Sequence, residues 1–139
     1  MRPTLALNDA GDAVVAWMQW SDGKFGISSA RFVSATQTWA PPESLAVQDN
    51  GTAWDPHAGI SSQGDITVGW RQRDGTHDSA WARRYNATSE AWGDATPLET
   101  EDLGDAESPF IAVDDQGRAF AVWTQFDGTR TSLYANVYR

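Results

Sequence analysis

Gln19, Gln72 and Gln125 each lie two residues beyond a tryptophan (Trp17, Trp70 and Trp123), and the three pairs recur at intervals of 53 residues. Residues two apart on a β-strand share a face, so each amide would stand beside an indole. Such a pair suits a sugar site, in which the amide and a nearby aspartate bond hydroxyls while an aromatic covers the apolar face of the ring. Repetition of the site would add avidity. The same pair suits a buried position better, with the glutamine satisfying the backbone of a neighbouring unit. Arg71 and Arg73 flank Gln72, and Arg83-Arg84 follow Trp81, which gathers positive charge in one stretch. That charge could hold an acidic sugar or carboxylate, or pair with surplus acids in solvent. Trp20, Phe25 and Trp54 occur once, as rim aromatics or as packing. The candidate binding residues are therefore Gln19, Trp20, Arg71, Gln72, Arg73, Trp81 and Gln125.

Other chemistry finds less support. The absence of cysteine excludes thiol catalysis, thiolate metal sites and disulfides. Ten basic against nineteen acidic residues give a net charge of -9, which repels phosphate backbones and anionic lipid, so no nucleic-acid partner is expected. No apolar run approaches the length of a membrane span, so no membrane insertion is expected either. His57 and His77 share no zinc-ligand spacing, and the oxygen-rich stretches Asn8-Asp9-Ala10-Gly11-Asp12 and Asp102-Leu103-Gly104-Asp105-Ala106-Glu107 lack EF-hand spacing. There is no G-x-S-x-G elbow and no helix to follow a phosphate loop. No catalytic residue, metal or cofactor is expected. Asn50-Gly51-Thr52 and Asn86-Ala87-Thr88 match the glycosylation acceptor pattern, which matters only on a eukaryotic secretory route.

The elements that would position these residues repeat as well. Pro3, Pro56 and Pro109, and Gly11, Gly64 and Gly117, keep the same interval of 53, as do Trp39 with Trp92, Leu45 with Leu98, Asp49 with Asp102, Gly51 with Gly104 and Ala53 with Ala106. Asp22-Gly23, Asp74-Gly75 and Asp127-Gly128 follow with a one-residue adjustment. Residues 139 in number hold two full units and part of a third, at about 3–55, 56–108 and 109–139, the last lacking its closing strand. Phe110-Ile111-Ala112-Val113, a turn through Gly117, and Ala119-Phe120-Ala121-Val122-Trp123 read as a hairpin. Asp127-Gly128, a pair suited to type I′ geometry, leads to a third strand through Ser132 to Tyr138. A weaker fourth strand is expected at Trp39 to Val47 and Trp92 to Leu98, with Pro41, Pro42 and Pro97 marking an edge.

In the second strand Ala13, Val15 and Trp17 occupy one face while Val14, Ala16 and Met18 occupy the other, so both faces require burial. A four-stranded repeat buried on both sides predicts an all-β propeller, with sheets stacked before and behind. Trp17, Trp70 and Trp123 would then be core between blades, and the recurring glycines backbone requirements. The pattern read from Pro109 through Ala112, Asp114, Gly117, Ala119 and Ala121 to Trp123, Gln125, Asp127 and Gly128 resembles bacterial extracellular propeller repeats, distantly like sialidase-type and NHL-type blades. The resemblance covers essentially the whole chain and implies a secreted or cell-surface location. The sialidase Asp-box S-x-D-x-G-x-x-W is not matched, and the family's arginine triad and tyrosine nucleophile have no positions here.

Three blades leave two apolar faces open, so self-association into a ring is expected unless further blades belong to a longer protein. Small fucose-binding lectins are similar in building rings from short chains. No signal peptide is expected in this stretch, which begins at full pattern strength, as a piece of something longer would. The expected function is a non-catalytic propeller scaffold that binds a glycan or a protein surface at blade tops or inter-blade grooves. The alternatives are part of a glycosidase-like or lyase-like propeller enzyme, or a purely structural array.

Overall fold

The computed structural model describes every residue except Asp49, Asp102 and Arg139. The repeated pair Asp49 and Asp102 thus lies outside the described residues. The chain is all-β and folds into three antiparallel sheets in sequence order. The first holds β1 (Thr4–Leu7), β2 (Ala13–Ser21), β3 (Lys24–Val33), β4 (Thr38–Trp39) and β5 (Glu43–Ser44); the second holds β6 (Ala53–Ile60), β7 (Ile66–Arg73), β8 (Asp78–Asn86), β9 (Ala91–Trp92) and β10 (Thr96–Pro97). The third holds β11 (Phe110–Val113), β12 (Ala119–Phe126) and β13 (Thr131–Tyr138). These are the stacked blades of a partial β-propeller. The fourth strand is a pair of two-residue pieces on the third strand, separated at Pro41-Pro42 in the first blade, because proline brings no N–H to the ladder.

Equivalent positions of adjacent blades touch. Asn8 Nδ2 donates to Ser61 O at 2.9 Å and Ser62 Oγ to Asp115 O at 3.5 Å, each across an interval of 53 residues. At the opposite end of the first strands, Arg2 donates to Asp55 at 2.7 Å and Ser108 donates to the same carboxylate at 3.1 Å. Asp55 reaches both because it sits at φ 49 in a bulge, where the β6–β7 register shifts between Trp54 and His57. First strand therefore stands beside first strand around a common axis.

Gly11, Gly64 and Gly117 close the first hairpins at φ 87, 89 and 79, a left-handed conformation that a side chain would strain. The second hairpins differ from one another. Asp22 (φ 52) and Gly23 (φ 81) form the two-residue loop expected of a type I′ turn. Asp127-Gly128 does not form one. Thr129 and Arg130 lengthen that loop to four residues, Asp127 N bonds Arg130 O at 2.9 Å, and Asp127 Oδ1 accepts both inserted N–H groups at 3.0 Å. The side-chain oxygen thus does what a tighter turn would have done with backbone alone.

Burial follows the stacking order. Every residue from Ile66 to Trp70 is buried, because the second blade is covered on both faces. In the first blade only the face of Val14 and Ala16, toward the second blade, is fully buried, and Val15 and Trp17 on the other face are half-buried. In the third, Ala119, Ala121 and Trp123 are buried, whereas Phe110, Phe120, Val122, Leu133 and Val137 are exposed. Two-sided burial of the repeat is realised only in the middle copy, since only that copy has neighbours on both sides.

Candidate functional site

The seven candidate residues do not converge on one place. Gln72 is 1% exposed and its amide is spent: Oε1 accepts from Trp70 Nε1 at 3.0 Å and from Val47 N at 3.1 Å, while Nε2 donates to Val47 O at 2.8 Å and Gly51 O at 3.0 Å. Gln125 repeats the arrangement, with Oε1 accepting from Trp123 Nε1 at 3.2 Å and Nε2 donating to Glu101 O at 2.8 Å and Gly104 O at 3.4 Å. Both are clips on the connector that crosses from the preceding blade. Gln19 keeps only the local part of the pattern: it accepts from Trp17 Nε1 at 3.1 Å, donates to Trp20 O at 3.3 Å, and stays exposed. Trp20 is also exposed, edge-on to Phe25 with centroids 4.9 Å apart.

The arginines are equally committed. Arg71 reaches Glu107 at 3.0 Å, Asp55 at 3.8 Å and Asp78 at 3.9 Å, and its guanidinium lies 5.1 Å from the Trp54 ring. Arg73 pairs with Asp78 at 3.2 Å and lies 3.9 Å from Asp105. A carboxylate ligand would have to displace resident carboxylates, so this corner acts as an ionic clasp between the second and third blades. Trp81 is half-buried, pairs across the strands with Trp70 and packs on the core that surrounds it.

The grooves lie between blades. One, of about 360 Å³, runs between the 98–103 connector and the third blade and is lined by Thr100, Glu101, Leu103, Tyr134 and Asn136, with Trp123 at its base. Tyr134 is half-buried and stacked on Trp123, the centroids 6.1 Å apart and the planes 18° apart. Asn136 Nδ2 is anchored to Leu98 O at 2.9 Å, which ties β13 to the connector, whereas Thr100 and Glu101 are exposed. The groove thus combines an aromatic wall, a hydroxyl and a carboxylate. Of the seven candidates Gln125 also lines this groove, with its amide bonded to the connector, whereas Tyr134 is not among the seven. The signal was present all the same, because Tyr134 holds the repeat position of Trp81, 53 residues on.

Hydrogen bonds hold three carboxylates below their usual range. A backbone hydrogen bond from Ser34, reinforced by its hydroxyl at 2.8 Å, holds Asp12 below the usual carboxylate range. Backbone bonds from Arg130 and Thr129 lower Asp127 in the same way. At Asp114 desolvation pushes upward, and the bonds from Arg118 and Gln116 outweigh it. The hydrogen bonds of these turns thus favour the ionised carboxylate in each. Burial lowers His57, which lies against Phe110 with centroids 4.4 Å apart. Among the described residues no three His, Asp or Glu side chains are grouped to hold a metal ion.

No family model matches the chain, and no curated protein matches it. Solved structures do. A Hadza microbial sialidase superposes with a TM-score of 0.69 at 12% identity over 99% of this chain, which spans 34% of the sialidase. An ulvan lyase, of a new polysaccharide lyase family and solved with a bound sulfated disaccharide, gives a TM-score of 0.64 at 14% identity over 99% of this chain and 41% of its own. A fucose lectin from Kordia zhangzhouensis, in complex with methyl-fucoside, gives 0.55 at 14% identity over 97% of this chain and 96% of its own. At these identities the likeness is one of fold, and it places the three sheets among propeller proteins, enzymes and a lectin alike. No helix is long and apolar enough to cross a membrane among the described residues.

Proposed function

We propose that this chain is a non-catalytic propeller module that binds a neutral glycan in the groove between its second and third blades. The observation that carries the reading is the stacked Trp123–Tyr134 pair forming one wall of an open groove, with the Thr100 hydroxyl and Glu101 carboxylate on the same lining. Aromatic surface beside a few hydrogen-bonding groups is the chemistry of sugar recognition. A carboxylate in the groove and a net charge of -9 favour an uncharged sugar over a uronic or sialic acid. The lectin that this chain matches along nearly its whole length supports glycan binding. A secreted or cell-surface location, and self-association through the two open apolar faces, belong to the same reading.

Calorimetric titration with neutral glycosides, methyl-fucoside among them, and with sialic acid tests it. Saturable binding of a neutral sugar is expected, weakened at least about tenfold by Tyr134→Ala with no change of fold. Binding indifferent to Tyr134, or turnover of a sialoside or ulvan by the isolated chain, would overturn it.

A further inference from the structure

A second groove, of about 510 Å³, is lined by Gln19, Phe25 and Ser28 of the first blade together with Val47 and Gln48 of the connector and Gln72 of the second blade, and Gln19 belongs to the first blade's open side. The same side of the second and third blades is not open. There a connector from the preceding blade crosses the sheet and makes similar contacts in both. Its leucine, Leu45 or Leu98, is buried in one cluster with the blade's tryptophan, Trp70 or Trp123. Its backbone is gripped by the glutamine amide, Gln72 or Gln125. Its glycine passes close to the residue after the glutamine: a Cβ on Gly51 would lie 2.8 Å from Arg73 Cβ, and one on Gly104 2.8 Å from Phe126 O. Gly51 N also bonds Arg73 O at 2.8 Å.

The first blade presents every receiving part of this contact. Trp17 is half-buried where Trp70 and Trp123 are covered, Gln19 is exposed with its amide bound, among the described residues, only to its own strand, and Trp20, at the position of Arg73 and Phe126, is 58% exposed. We infer that Trp17, Gln19 and Trp20 form a socket for an extended peptide, namely the connector of another like repeat. A leucine would seat against Trp17, backbone carbonyls would accept from Gln19 Nε2, and a glycine would let the strand pass over Trp20. The recognition is largely of main chain, as in other additions of an extended segment to a sheet protein, with one apolar anchor setting register. The exposure of Gln19 and Trp20 then reflects a peptide site rather than a sugar rim.

Two peptides from this sequence, residues 43–52 and 96–105, serve as probes, each labelled and titrated with the whole chain by fluorescence anisotropy. Saturable binding is expected, and replacement of the peptide leucine (Leu45 or Leu98) by Asp abolishes it without altering the protein. Gln19→Ala weakens binding at least about tenfold, the loss of its net hydrogen-bonding contribution. Its melt stays that of the parent, because Gln19 is exposed. Tyr134→Ala leaves peptide binding as it is, which separates the socket from the proposed glycan groove. Absence of saturation up to about 1 mM, where binding free energy is only about 4 kcal/mol, overturns the proposal. So does equal binding by Gln19→Ala or by the Asp-substituted peptides, or competition by a sugar.

Discussion

The indole of Trp70 donates to the amide oxygen of Gln72 at 3.0 Å, and that single contact orients the amide so that its remaining atoms meet the connector. The two side chains thus form a unit whose value depends on whether a connector lies across it.

Gln72→Ala strands a buried indole N–H, a connector N–H and two connector carbonyls, each costing about 1–3 kcal/mol if it finds no water. A total loss of about 3 kcal/mol or more is expected in urea unfolding, against about 0.5 kcal/mol or less for the exposed Gln19→Ala. Equal effects would show that the connector contacts do not carry the energy.

Trp70→Ala empties the centre of the first core, where the ring is 0% exposed, and is expected to cost about 3–5 kcal/mol. Trp17→Ala should cost clearly less, since its ring is half-buried. An unchanged denaturation midpoint for Trp70→Ala would remove that residue from the core.

The second and third blades approach through glycine. A Cβ on Gly59 would lie 2.7 Å from Val113 Cγ2, and one on Gly69 2.8 Å from the Ile111 side chain. Gly59→Ala is expected to destabilise by about 1–3 kcal/mol through overpacking. Val113→Ala should rescue part of that loss, so a double-mutant cycle gives a coupling opposite in sign to the single effects; strict additivity would contradict the close contact.

Acid should unfold the chain in two windows. His57 holds its proton more weakly folded than unfolded, because burial lowers it from 6.5, so the unfolded chain binds more protons and stability falls as pH drops below 6.5. Asp12, Asp114 and Asp127 are also lowered, from 3.8, so their contribution is intact above that value and is lost as pH falls through their folded values. His57→Phe should flatten the first window and Asp12→Asn part of the second, read as melting temperature against pH.

The exposed face of Phe110, Phe120, Val122, Leu133 and Val137 is large and apolar for a solvated surface. Leu133, at 73% exposure, contributes little to the fold of the monomer. Light scattering should find species above the monomer mass, with Leu133→Asp shifting them toward it at unchanged melting temperature. A monomer at all concentrations for both proteins would show that this face does not self-associate.

The amino-acid sequence by itself determined the repeat, the strands and the turns, because these depend on local chemistry. Proline and glycine at fixed intervals punctuate the chain, alternation sets the faces, and a glycine at positive φ closes each first hairpin wherever it occurs. The type I′ expectation at Asp127 failed for an equally local reason, two further residues in the loop. What each side chain does was decided only in the tertiary structure. Gln19, Gln72 and Gln125 follow tryptophan in the same way, yet one is exposed and two are buried clips, since covering depends on a connector some 24 residues away in sequence. Arg71 is neutralised by Asp55, Asp78 and Glu107 from three separate segments, and the groove at Tyr134 joins two segments more than 30 residues apart. Burial and charge pairing are properties of neighbours in space, and a repeat makes its neighbours alike in sequence while leaving the end blades and the middle blade in different surroundings.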